Sequence, residues 1–225
     1  MSRSFTPDVR RDERLGFDEA IFADGKSAEH LEAIIAEATE RGAGLLLTKM
    51  RSDQFAALAS TTRDLLDYDP LSTTAIMGPT KPLENTPRVA VVTAGTSDLF
   101  VSRETVRTLN YYGHACVEVT DVGVAGLWRL LERLDEIRPL PIVITVAGMD
   151  AALPSVVAGQ VPGAVIAVPT STGYGVANRG ETALRAVLVS CAPGVLVVNI
   201  DNGYGAACAA LRMLNVLDAE RRLDA

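Results

Sequence analysis

Five short stretches rich in Gly, Ser, Thr, Asp and Asn recur along the chain, each directly after an apolar run. They are AGTSD (94–98), TDVGVAG (120–126), AGMDAALPS (147–155), PTSTGYG (169–175) and IDNGYGAA (200–207). Small residues let backbone approach a ligand and leave amide N–H groups open for an anion. Turn formation alone enriches the same residues, so one or two such stretches would be routine; five in series favour a polar, phosphorylated ligand. The first is the best phosphate candidate, because Gly95, Thr96 and Ser97 lead into a helix start with several free N–H groups and two hydroxyls. The plainer reading of the same stretch is a helix capped by Ser97 or Asp98.

Other familiar site patterns do not fit. GYGVANRG (173–180) is G-x-G-x-x-x-x-G and follows the fourth apolar run, so it is no dinucleotide fingerprint. There is neither a G-x-x-x-x-G-K-[ST] phosphate loop nor a G-x-S-x-G elbow. The two histidines, His30 and His114, lack Cys or carboxylate neighbours at metal-ligand spacing, which predicts no resident His-built metal site. The three cysteines are an odd number without CxxC spacing, as expected of a reducing compartment. Cys116 reads as a strand residue and Cys208 as helix packing. Cys191 ends the fourth predicted helix ahead of APG, and it reaches the ligand edge only if the chain doubles back there. By its spacing alone it is a small buried residue.

The elements that must position these stretches are legible. RVAVVTAG, HACVEVTD, PIVITVAG, GAVIAVPT and GVLVVNID are Val/Ile-rich runs without polar alternation, separated by segments with helical caps and stops. Strands of that kind are covered on both faces, which predicts a parallel sheet of five βα units. In such a sheet the ligand lies outside the carboxyl ends of the strands, where all five stretches fall. The first 80 residues differ: they predict helices near 27–41 and 53–66 with an apolar run, GLLLT, between them. MGPTKPLENTP (77–87) reads as a linker. The predicted fold class is therefore α/β, a flavodoxin-like doubly wound sheet over residues 86–217, preceded by a small α+β domain over residues 1–80.

Composition narrows the partners. A formal charge of −7 argues against nucleic acid as the main partner and favours a small ligand. No apolar run approaches the roughly 18 residues of a membrane span, and the N-terminal stretch lacks the apolar centre of a signal peptide. A cytoplasmic protein with no membrane partner is expected.

Taken as an ordered set, AGTSD, DVGVAG, VAGMDAALPSVVAG, VIAVPTSTGYG, SCAPG and VVNIDNGYGAA resemble the aminoimidazole ribonucleotide carboxylase family. The likeness is strongest to its nickel-pincer branch, the LarB-type pyridinium-3,5-biscarboxylic acid mononucleotide synthases. It covers nearly all of residues 88–215. RLGFDEAIFADGKS (14–27) and LDYDP (66–70) are similar to that branch's N-terminal extension, which the purine enzyme lacks. The resemblance implies carboxylation of the pyridinium ring of nicotinic acid adenine dinucleotide by CO2 or bicarbonate, with hydrolysis of the phosphoanhydride to release AMP. It implies a covalent role for Cys191 and ligand contacts for Arg14 and Lys26. Asp98 or Asp121 is then a candidate general base, and Gly95, Thr96, Ser97, Gly148, Met149, Ser171 and Thr172 are candidates for holding phosphate or carboxylate oxygens. Asp201 and Asn202 are candidates for orienting ribose hydroxyls or water. No tightly bound cofactor is implied; Mg2+ would suit the hydrolysis, and the assembly implied is a homo-oligomer, an octamer by analogy. Three departures bear on the substrate: Trp128 precedes Arg129 where the branch has His-Arg, VANRGE follows TSTGYG, and Lys49 stands where Arg is usual. Two other activities fit the same motifs: carboxylation or mutation of aminoimidazole ribonucleotide or another pyridine nucleotide, and nucleotide binding without turnover.

Overall fold

The computed structural model describes residues 5–223, which divide between Pro82 and Leu83 into two compact units. The N-terminal unit orders its elements as α1 (Arg11–Leu15), β1 (Ile21–Phe22), α2 (Ala28–Glu40), β2 (Leu45–Thr48), α3 (Ser52–Ala56), α4 (Ser60–Arg63), β3 (Leu66–Asp69) and β4 (Thr74–Met77). Helix α2 starts where Ser27 Oγ accepts the His30 N–H, a side-chain cap of one of the free amides of the first turn. Its Leu31, Ile34, Ile35 and Ala38 fall on one face and are buried against Leu45, Leu47, Met50 and Met77. The sheet runs β1-β2-β4-β3, with β1 parallel to β2 and the other pairs antiparallel.

The single helix expected over 53–66 is instead two short helices followed by a hairpin. Leu58 turns into the core between them, and Glu32 accepts hydrogen bonds from both the Ala59 N–H (2.6 Å) and the Thr62 hydroxyl (2.5 Å). Those bonds draw the chain towards α2 and break the helical path. The hairpin that follows pairs Leu66 with Met77 and Asp69 with Thr74, and was not anticipated.

The C-terminal unit is the parallel α/β domain the apolar runs predict. Its elements are β5 (Val89–Thr93), α5 (Leu99–Tyr111), β6 (Cys116–Val119), α6 (Leu127–Leu131), α7 (Leu134–Ile137), β7 (Ile142–Ala147), α8 (Ala152–Ala158), β8 (Ala164–Pro169), α9 (Glu181–Leu188), β9 (Leu196–Val197) and α10 (Gly203–Leu223). The sheet order is β6-β5-β7-β8-β9, all parallel. Every residue of β5 and β7 is buried, which accounts for their unbroken Val/Ile runs. Helices α5 and α10 pack together and reach β5 and β8, respectively.

Three local expectations change. The helix predicted after DVGVAG is interrupted at Glu132–Arg133, and the two pieces bury Leu130, Leu134 and Ile137 in the core. Asp98 does not cap α5 through its side chain, for its carboxylate is used elsewhere. Helix α9 stops at Leu188, so Cys191 lies in the turn beyond it, and it is exposed rather than buried. Among the described residues no helix is long and apolar enough to cross a membrane.

Candidate active site

Strand β5 sends its chain to β6 on one side of the sheet while β7 lies on the other, so the turns after β5 and β7 diverge and leave the crevice typical of doubly wound sheets. The turn after β5 is fastened across this crevice. Asp98, only 3% exposed, accepts the Gly95 N–H on Oδ2 (3.1 Å) and the Thr170 hydroxyl on Oδ1 (2.5 Å). Thr170, fully buried at the end of β8, in turn accepts the Thr172 N–H, and the Thr172 hydroxyl donates to the Ser97 carbonyl (3.1 Å). The Met149 N–H donates to the Thr172 carbonyl (2.9 Å). The turns carrying Gly95–Asp98, Gly148–Met149 and Thr170–Thr172 are thus one hydrogen-bonded body.

Gly148 makes that closure possible. A Cβ there would stand 2.4 Å from the Thr172 carbonyl oxygen and 2.6 Å from the Thr170 hydroxyl. Met149, with φ +55° and half-exposed, and Ala151, with φ +47°, hold left-handed backbone beside it, a conformation non-glycine residues adopt at a cost. Asp201 is also left-handed (φ +56°) and accepts the Ser171 N–H on Oδ1 (2.7 Å), which adds the turn after β9 to the same assembly. Asn202 caps α10, its Oδ1 accepting the Gly205 N–H (2.7 Å). Of the residues expected at the ligand edge, Gly95, Thr96, Ser97, Asp98, Gly148, Met149, Ser171, Thr172, Asp201 and Asn202 therefore lie at the carboxyl ends of neighbouring strands.

Asp121, after β6, sits at the same edge with φ +58° and receives the Arg129 Nη1–H on Oδ2 at 2.5 Å. The chain there crosses back to β5 through the Val122 N–H, which donates to the Thr93 carbonyl (3.1 Å). Arg129 was noted from sequence only beside the Trp128 departure and given no site role, because a cation inside a helix reads as solvated surface. Thr170 was missed because nothing in PTSTGYG separates a buried hydroxyl from its exposed neighbours.

Cys191 lies in the turn between α9 and β9. It precedes β9, whereas Asp201 follows it, and β9 pairs with β8 at Ile166 and Ala167. Its turn is held by Ser190, whose hydroxyl hydrogen-bonds that of Ser155 at 2.7 Å and accepts the Ala192 N–H. Around it Leu188 and Val189 are 63% and 79% exposed. Cys116, by contrast, is pushed up to about 12 by burial and, secondarily, by Glu118, which leaves its thiol protonated at neutral pH.

Lys26 and Arg14 belong to the N-terminal unit. Lys26 lines a cavity of about 610 Å3 there, along one face of α2 with His30, Ile34 and Ala38. Arg14 is tied to Asp8 by two hydrogen bonds (2.6 and 3.0 Å), which hold the Asp8 carboxyl below the usual carboxylate range. Among the described residues no three His, Cys, Asp or Glu side chains group as ligands for a metal.

A parallel five-stranded sheet with a glycine- and hydroxyl-rich switch-point crevice defines a doubly wound α/β protein of the flavodoxin-like class. Residues 88–224 match the AIR carboxylase model and residues 3–79 match the LarB/PurE-like N-terminal domain. An uncharacterized protein of Methanocaldococcus jannaschii is 36% identical over 211 residues, 90% of this chain and 81% of that protein. The N5-carboxyaminoimidazole ribonucleotide mutase of the same organism is 34% identical over 135 residues, 58% of this chain and 80% of the mutase. The chain belongs to the AIR carboxylase family, in its LarB/PurE-like group.

Proposed function

We propose that the protein is a carboxylase of pyridinium nucleotides that adds a carboxyl group to the ring of nicotinic acid adenine dinucleotide and hydrolyses its phosphoanhydride to release AMP. The observation that carries this is the pairing of the AIR carboxylase match with a LarB/PurE-like N-terminal domain and an exposed Cys191 in the SCAPG turn. The mutase relative corresponds to only 58% of this chain.

An electron-poor pyridinium does not attack CO2. Addition of the Cys191 thiolate to the ring makes a dihydropyridine, whose enamine carbon is nucleophilic. That carbon forms the bond to CO2. Loss of the ring proton to a carboxylate returns the electron pair to the ring, breaks the C–S bond and expels the thiolate. Of the two candidate bases, Asp121 is half-exposed and bonded to Arg129 through Oδ2, with Oδ1 left for a ring proton, while both Asp98 oxygens are occupied within the turn assembly. Asp121 is thus the proposed base and Asp98 a positioning residue. The amides and hydroxyls of Thr96 and Ser97 and the Ser171 hydroxyl hold phosphate, the Gly95, Ser171 and Thr172 amides brace the turns that present them, and Asp201 and Asn202 orient the ribose or the water that attacks the phosphoanhydride. Lys26 and Arg14 are further substrate contacts, and Mg2+ would assist the hydrolysis by neutralising charge on the phosphates.

Because Cys191 and Asp201 lie at opposite ends of β9, the proposed assembly is a homo-oligomer, an octamer by analogy, in which the thiol serves the edge of a neighbouring copy. Leu188 and Val189 beside Cys191 suit burial in such a contact. Incubation with nicotinic acid adenine dinucleotide and 13C-bicarbonate tests the function: AMP and a pyridine mononucleotide carrying one labelled carboxyl are expected. Finding neither overturns it.

A further inference from the structure

Four carboxylates, Asp98, Asp121, Asp150 and Asp201, stand in the edge turns, and those five stretches contain no Lys or Arg. Arg129 reaches Asp121 from the third position of α6. Its guanidinium lies against the backbone of Gly126, where a Cβ would be 2.8 Å from Nε, 2.9 Å from Nη2 and 3.2 Å from Cζ. One nitrogen is spent on Asp121. No other described hydrogen bond uses its remaining N–H groups, and the side chain is 33% exposed. A guanidinium fixed on two sides with a donor edge left over is preorganised for a planar oxyanion.

We infer that Arg129, held by Asp121 and seated on Gly126, reads the ring carboxylate of the pyridine substrate and so selects the acid over the corresponding amide. The inference rests on the proposed pyridinium carboxylation. The carboxylate is favoured over phosphate because the planar fork matches its two oxygens, whereas the amides and hydroxyls of Thr96 and Ser97 at the start of the turn after β5 suit the tetrahedral anion. Asp121 fixes the fork's orientation and stands beside the ring whose proton it accepts. An amide presents an NH2 group where the fork needs an acceptor, leaving donor against donor.

Calorimetry on the full chain with nicotinic acid mononucleotide and nicotinamide mononucleotide gives the acid-to-amide affinity ratio. Wild type is expected to prefer the acid by about ten- to hundredfold, the worth of one charge-assisted hydrogen bond. Arg129→Gln is expected to bring that ratio within about threefold of unity. Gly126→Ala, which keeps the charge but displaces the flexible guanidinium, is expected to move the ratio the same way. A merely structural Arg129 would weaken both ligands equally and leave the ratio alone. Wild-type carboxylation of the dinucleotide together with an unchanged ratio in Arg129→Gln would overturn the assignment and spare the carboxylase; failure of wild type to bind or carboxylate any pyridine nucleotide removes both.

Discussion

At the scale of single residues, the site separates groups held for structure from groups left open for chemistry. Asp98→Ala removes the acceptor of a buried hydroxyl and of the Gly95 amide, leaving both unsatisfied, and is expected to cost about 2–4 kcal/mol. The midpoint of urea unfolding measures it; a loss near zero would mean the carboxylate does not tie the turns. The cysteines divide in the same way. Brief alkylation at pH 8 is expected to label exposed Cys191 and spare Cys116, as read by peptide mass. The raised Cys116 value also carries a stability signature. Between about pH 9 and about 12 the unfolded thiol is ionised while the folded one keeps its proton, so this contribution to stability is complete below pH 9 and declines as pH rises through that window. Cys116→Ser is expected to flatten the decline in thermal unfolding measured across that range.

At the scale of elements, the site depends on how closely the strand ends approach. Gly148→Ala drives a methyl into backbone and a buried hydroxyl and is expected to destabilise by about 1–3 kcal/mol. It should also weaken nucleotide binding, since the turns after β7 and β8 are forced apart; calorimetry alongside thermal unfolding tests both. What sequence conveyed well was the parallel sheet, because burial on both faces writes itself into Val/Ile runs, and α2, because its apolar period and Ser27 cap agree. What it conveyed poorly had tertiary causes. Glu32 reaches across from α2 to break the helix expected over 53–66, and the alternation in a strand as short as LDYD spans only four residues, too few to stand out from the helical reading. The edge turns could be recognised, yet their internal order could not: that Asp98 bonds Thr170, or that Arg129 bonds Asp121, depends on side chains brought together by folding.

At the scale of the whole molecule, each unit has its own hydrophobic core, and the proposed nucleophile precedes β9 whereas Asp201 follows it. Delivery of Cys191 by a neighbouring copy makes a specific prediction. Mixed oligomers of Cys191→Ala and Asp121→Asn, each inactive alone, are expected to recover activity through the sites that combine an intact thiol with an intact base; if both residues act within one chain, mixing restores none. Light scattering on the wild-type chain is expected to give a homo-oligomer. The central claim is that carboxylation passes through a sulfur–pyridine adduct on Cys191. Its most direct test is intact mass analysis of protein quenched during turnover with nicotinic acid adenine dinucleotide and bicarbonate, followed by peptide mapping. The account predicts a substrate-derived mass on the Cys191 peptide of wild type, with no adduct and no product from Cys191→Ala; carboxylated product formed by Cys191→Ala at the wild-type rate would contradict it.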